Sequence, residues 1–210
     1  MALIDKYGID AFRYFLLREV TVGFDGAFSE ELMDKRYTSD LANDLGNLWL
    51  RFASMVGRYF HGKMPPRHPG VFHSPMVKSA FELWTQSRNR MLEYDPRGAL
   101  EKIWELVTRA NQFVEERKPW ALAKDASRIK ELEETMGILA ECLAHISIIL
   151  LPFMPDTAGK LLAGLGLPST WCLADPSGFE KLLVPEGAEI IRGNPLFPRF
   201  DEKAGGGPHA

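Results

Sequence analysis

The chain predicts an all-α fold, an antiparallel helical bundle closed by an irregular C-terminal strap. Three observations carry this: apolar residues recur at spacings of three and four in three long segments, Ser-Pro and Asp-Pro pairs stand where helices should start, and no stretch alternates as a strand would. With 210 residues the chain suits one mostly helical domain or one domain with a small appendage. Short connections between long helices make the arrangement up-and-down.

The stretch 38–60 is the one around which the chain is expected to be organised. Leu41, Leu45, Leu48, Phe52, Met55 and Tyr59 form one apolar seam, while Asn43, Asn47, Arg51, Ser54 and Arg58 gather in a separate polar stripe. Ala42, Gly46 and Ala53 lie between them and allow a close neighbour on a second side. Before it, a short helical turn leads to a helix from Asp10, read as its N-cap, through Glu19. Phe12, Phe15, Leu16 and Val20 give that helix an apolar face expected to dock on a body elsewhere, within this chain or beyond it. Asp25-Gly26 marks a bend, and Ser29 caps the next helix with Glu30 and Glu31 in its first turn.

The segment 61–74 reads as a loop, with a helix starting at Ser74-Pro75 that turns Val77, Phe81 and Trp84 inward. Asp95-Pro96 repeats the start signal for the seam of Leu100, Ile103, Val107, Ala110 and Val114, and Pro119 stops that helix at Lys118. Pro119 opens a short segment that presents Trp120 at the junction. A third long helix from Ser127 carries Leu132, Met136, Leu139, Leu143, Ile146 and Leu150 until Pro152, and a final helix ends at 164–166. The strap follows, and residues 202–210 read as a disordered tail.

Several chemistries are set aside. The longest apolar run, 146–153, is cut by Pro152 and is too short to span a membrane, and the N-terminus has no signal-peptide core. Cys142 and Cys172 are too few for a zinc knuckle or a disulfide framework and fit a reduced compartment. A net charge of -3 argues against a broadly basic nucleic-acid coat, so an RNA partner would meet a local patch. The run from Gly57 to Lys63 has Walker-like spacing, but Met64 stands where Ser or Thr must hold magnesium, and the segment closes a helix instead of opening one. His61, His68 and His73 read as solvated loop histidines without metal-ligand partners, and Glu131, Glu133 and Glu134 as a solvated face. Asn111 reads as a buried amide bonded to backbone or to a neighbouring helix. No catalytic residue and no metal site is assigned.

Asn47 and Arg51 lie one helical turn apart and can both donate to a base edge or phosphate, while Trp120 after a proline can offer a flat face for stacking. Taken alone, these residues read as a core tryptophan and a solvated polar face, not as a binding site.

Six ordered blocks then bear on the choice: GIDAFRYFLLREV, FDGAFS, SDLANDLGNLWLR, NQFVEERKPWALAKD, LLPFMPDTA and PLFPRFD. Together they resemble the C-terminal part of bacterial-type methionyl-tRNA synthetase, a class I aminoacyl-tRNA synthetase, over residues 4–201. The resemblance implies a connecting helical segment, 1–36, that joins an absent catalytic domain to a helical anticodon-binding domain, 37–201. It implies that Trp120 stacks on the first anticodon base and that Asn47 and Arg51 hydrogen-bond that base, in the CAU anticodon of methionine tRNA. Arg58, Arg88, Arg90, Arg117 and Lys118 are added, from their charge alone, as candidates for the RNA backbone.

The family's HIGH and KMSKS signatures and its metal-binding insert are not among these residues. The fragment is therefore expected to lack ligase activity and to hold no cofactor, ATP and zinc belonging to the parent's catalytic half. The expected partners are methionine tRNA and that catalytic half, with no DNA and no membrane, in the cytoplasm or an organellar matrix. Two other readings remain at this point: a helical protein-interaction module without RNA binding, and the anticodon domain of another class I synthetase.

Overall fold

The structure, a computed structural model, describes residues 2–20, 23, 28–168 and 183–199. Among the described residues ten α-helices form the bundle: α1 Ala2–Tyr7, α2 Ile9–Glu19, α3 Glu30–Arg36, α4 Asn47–Phe60, α5 Pro69–His73, α6 Pro75–Leu92, α7 Pro96–Arg117, α8 Pro119–Leu122, α9 Ile129–Leu150 and α10 Pro155–Gly164. Among the described residues the sole β-pairing is an isolated antiparallel bridge between Lys63 and Glu189. The all-α expectation holds.

The centre of the molecule is α9, not the 38–60 stretch. Its expected seam is buried, but so is every other residue from Ile138 to Leu150, so the helix is enclosed on all sides. Val71 of α5 and Val77 of α6 cover Ile138 and Cys142 on the side away from the seam. Ser147 and Thr135 are satisfied within the helix, their hydroxyls donating to the carbonyls of Leu143 and Glu131. Glu141 is satisfied from outside it, accepting the backbone N–H groups of Leu183 at 2.8 Å and Val184 at 2.9 Å. A buried carboxylate thus anchors the strap, and Leu183, Val184, Ile190 and Phe197 pack behind it.

Against α9 stands the α6–α7 hairpin, whose two starts are capped as the sequence indicates. Ser74 Oγ accepts from the Met76 N–H, and Asp95 Oδ1 from the Gly98 N–H at 2.8 Å. The α7 seam, Leu100 through Val114, is buried. Lys118 then takes a left-handed conformation (φ 46°), which ends α7 one residue before Pro119.

The next wall is one continuous rod of 30–60, in which α3 and α4 are joined by a π-helix, Tyr37–Gly46. The widened turns of a π-helix weaken its own ladder, and here α7 supplies donors to it. Trp104 Nε1 reaches the Asp40 carbonyl at 3.4 Å, and Asn111 Nδ2 reaches the Asp44 carbonyl at 3.3 Å and its own Val107 carbonyl at 3.2 Å. Trp104 and Asn111 are two turns apart on one face of α7, which fixes the π segment along its length. Asn111→Leu is expected to lower stability by about 1 kcal/mol, read by urea unfolding, because it removes these bonds; an unchanged midpoint would mean the amide does not support the π segment.

Several local expectations are corrected. Asp10 does not cap its own helix: Gly8 (φ 83°) precedes α2, and the buried Asp10 Oδ2 accepts the Thr157 N–H at 2.6 Å, capping α10. The body on which α2 docks lies within this chain, since Tyr14 and Phe15 are fully buried and Tyr14 donates to Asp40 at 2.7 Å. Leu16, assigned to the docking face, is exposed. The segment 61–74 is not all loop, as it contains α5. His68 is not simply solvated, because its Nε2 lies 2.8 Å from Glu133 Oε2 in a part-buried pair. Glu133 accordingly leaves the solvated face, while Glu131 pairs with Arg128. The Asp25-Gly26 bend, Cys172 and the 202–210 tail lie outside the described residues.

The strap crosses the outer side of the rod. Trp49 Nε1 donates to the Arg192 carbonyl and Tyr37 to the Pro198 carbonyl. Gly164 is required where α10 meets Trp49, since a Cβ there would stand 2.5 Å from the indole.

Candidate nucleic-acid interface

The polar stripe of the rod emerges at the C-terminal end of α7. Asn47, the first residue of α4, is exposed, and Arg51 follows one turn later on the same face. The Arg51 guanidinium lies 5.7 Å from the centroid of the Trp120 ring, and its Nη2 donates to Glu115 Oε1 at 2.6 Å. Trp120 belongs to α8, a single turn pinned by buried Pro119 and Leu122, and the residue is 37% exposed. A bulky indole held at the surface by a buried turn is offered to something outside the bundle.

The arrangement is fixed on both sides. The left-handed Lys118 and the ring of Pro119 aim α8 away from the axis of α7. The π segment, ending at Gly46, sets the facing of Asn47 and Arg51. Burial, with the charge of Asp40 added, holds the Asp44 carboxyl above the usual carboxylate range. The Arg51–Glu115 pair is half-exposed, with side-chain exposures of 28% and 62%. Such pairs contribute about 0 to 1 kcal/mol, so a ligand acceptor can take the guanidinium at little cost.

Beside Trp120 a cleft of about 290 Å³ opens, lined by Leu50, Arg51, Ser54, Met55, Tyr59 and the indole. Arg58 is exposed, its guanidinium 5.8 Å from the Tyr59 ring centroid. Lys118 is exposed at the α7–α8 junction, while Arg117 is partly engaged, donating through Nε to Thr135 Oγ1 at 3.1 Å and lying 5.9 Å from the Phe113 ring.

Arg88 and Arg90 are not brought to this surface. They stand at the C-terminal end of α6, beside the start of its antiparallel partner α7, whereas Trp120 follows the end of α7. The 22 residues of α7 put about 33 Å between those two ends, at 1.5 Å per residue. Arg90 pairs there with Asp95 and Glu93, and Arg88 lines a separate cleft with Trp84, Met91 and Phe153. Sequence reasoning missed Glu115, for which no local signal exists, and assigned Tyr59 to the core seam although it is only partly buried.

A family model described as tRNA synthetases class I (M) matches residues 1–53. A methionine--tRNA ligase of Caldanaerobacter subterraneus subsp. tengcongensis is 42% identical over 203 residues, covering 95% of this chain and 31% of that protein. Methionine--tRNA ligase 1 of Bacillus cereus is 39% identical over 207 residues, with 96% and 31% covered. Among solved structures, the free form of Mycobacterium tuberculosis methionyl-tRNA synthetase superposes with a TM-score of 0.84 at 30% identity, covering 95% of this chain and 40% of that one. The same enzyme bound by methionyl-adenylate gives 0.82, with 94% and 39% covered. The homologues of this chain are methionyl-tRNA synthetases, and it corresponds to a stretch of about 31% of the length of the bacterial ligases it matches.

Proposed function

We propose that the chain is the anticodon-recognising part of a methionine-tRNA ligase, gripping the CAU anticodon of methionine tRNA. The observation that carries this is the part-exposed meeting of the Arg51 guanidinium and the Trp120 indole, 5.7 Å apart, one turn from Asn47. Unpaired loop bases are recognised by stacking on an aromatic or guanidinium plane and by hydrogen bonds to their edges. Trp120 stacks the first anticodon base. Arg51 and Asn47 donate to its edge, and Lys118 and Arg58 lie where they can meet neighbouring phosphates.

In this reading residues 1–36 connect to a catalytic domain and 37–201 form the recognition body, with α2 already seated on that body through Tyr14 and Asp10. ATP-dependent attachment of methionine to tRNA belongs to the rest of the parent enzyme, and the setting is the cytoplasm. No helix among the described residues is long and apolar enough to cross a membrane.

The test is equilibrium binding of a CAU anticodon stem-loop at several salt concentrations. Binding is expected to weaken steeply with salt, because neutralised phosphates release counterions. Replacing C by U at the first anticodon position is expected to cost about 1 to 3 kcal/mol, the range for a misread base. Equal affinity for the two loops would remove the base-reading role of Asn47 and Arg51. Salt-independent binding to another protein, with no RNA binding, would favour the interaction-module reading.

A further inference from the structure

The cleft beside Trp120 shares Arg51 and the indole with the reading set but extends beyond it. Asn47 is not among its lining residues, and it runs from Leu50 and Arg51 toward the C-terminal end of α4, as far as Tyr59. Asn47 and Tyr59 are about 18 Å apart along the helix at 1.5 Å per residue, longer than any one nucleobase. A single base cannot use both ends.

The lining has a consistent chemistry. Leu50 and Met55 make an apolar floor, Trp120 and Tyr59 supply an aromatic ring at either end, and the exposed Ser54 offers a hydroxyl that both donates and accepts. Arg51 lines the cleft at one end and Arg58 lies against Tyr59 at the other, with no carboxylate among the lining residues. At about 290 Å³ the space sits at the small end of ligand-site volumes. Aromatic walls with guanidinium groups at the margin are the composition that binds unpaired nucleotides, the rings stacking bases and the cations meeting phosphates.

We propose that the Tyr59 end of this cleft is a second nucleotide subsite, in which Tyr59 stacks the base next to the first anticodon nucleotide and Arg58 meets its phosphate. The proposal rests on the anticodon reading above and extends it from one nucleotide to two consecutive ones laid along α4. It makes Tyr59 and Arg58 positioning residues for the loop and gives the polar stripe beyond Arg51 a use.

The experiment uses the whole 210-residue chain and CAU stem-loops in which each nucleotide flanking the first anticodon position is made abasic in turn. With the parent protein, one of the two abasic loops is expected to bind about tenfold more weakly, the scale of one lost stacked base. With Tyr59→Leu, which keeps the apolar floor and removes the ring, that tenfold penalty is expected to vanish while the C-to-U penalty at the first position persists. The same abasic penalties in parent and Tyr59→Leu would overturn the subsite. If the C-to-U penalty is absent but the Tyr59 dependence remains, the anticodon reading fails and the subsite stands. Should Tyr59→Leu not fold, Arg58→Gln at an exposed position decides: the slope of log affinity against log salt is expected to shrink by about 1, and an unchanged slope would overturn the phosphate contact and the proposal with it.

Discussion

Trp120→Ala is expected to cost about 1 to 3 kcal/mol of affinity for a CAU stem-loop, the range for one base lost from an aromatic platform. The same substitution is expected to cost some stability as well, because the residue is only 37% exposed. The indole is held up by its turn without filling the core: Pro119 and Leu122 are the buried members of α8, and Trp120 is exposed beside them. The Arg51 guanidinium, 5.7 Å from the ring centroid, keeps its ion pair with Glu115 when the ring is removed. Isothermal titration of the RNA, together with a urea melt of the free protein, separates the two effects. A variant that folds like the parent and binds the loop equally well would take Trp120 out of the site.

Glu141→Leu is expected to lower stability by about 2 to 5 kcal/mol. Leu183 and Val184 both donate their backbone N–H groups to this one carboxylate, and each orphaned buried donor costs about 1 to 3 kcal/mol. Arg67, which donates to the Val184 carbonyl at 2.6 Å, would remain as the side-chain anchor at this point of the strap. Faster proteolysis within the strap is the expected accompaniment, and unchanged unfolding would show that the strap does not depend on Glu141.

Glu141→Gln adds a pH signature. Burial raises the Glu141 carboxyl above the usual range, and the two N–H donors and the nearby Arg67 only partly offset it. The folded form therefore holds this proton more tightly than the unfolded chain does. The contribution of the group is present in full below its unfolded value of roughly 4.3 and is lost as pH rises through the raised folded value. The stability of the parent relative to Glu141→Gln is accordingly expected to be more favourable at about pH 4 than at about pH 7. The opposite trend would mean that the hydrogen bonds outweigh desolvation.

What could be read from the sequence was local. The three-four seams named the helix faces that are buried in α4, α7 and α9, and Ser29, Ser74 and Asp95 cap the helices that follow them. Pro119 marked the end of α7. What could not be read depends on partners far along the chain. Asp10 looked like the cap of its own helix because nothing nearby shows that Thr157, 147 residues on, takes its carboxylate. The π-helix has no local signature, since donors from Trp104 and Asn111, more than sixty residues away, support the wide turns. Nothing near Glu141 in the chain signals that Leu183 and Val184, more than forty residues on, return to it. The position of α9 was hidden for a related reason: an enclosed helix and a half-buried one share the same first seam, and only the residues behind that seam, such as Cys142 and Ile149, tell them apart.

The candidate site divides in the same way. Asn47 and Arg51 share a face by helical spacing alone, but whether Trp120 meets them depends on how α7 and α8 pack against the rod, and the structure sets it 5.7 Å from Arg51. Arg88 and Arg90 carry the right charge at the wrong end of the hairpin, since composition says nothing about which end of a long helix pair a residue occupies.

The grip of an exposed indole on one unpaired nucleotide is tested most directly by a double-mutant cycle. Trp120→Ala is combined with an RNA stem-loop made abasic at the first anticodon position, and the four affinities are measured. Removing either partner should cost affinity and removing both should cost little more, giving a coupling of at least about 1 kcal/mol. Losses that simply add, with a coupling within about 0.3 kcal/mol of zero, would mean that Trp120 and that base do not meet.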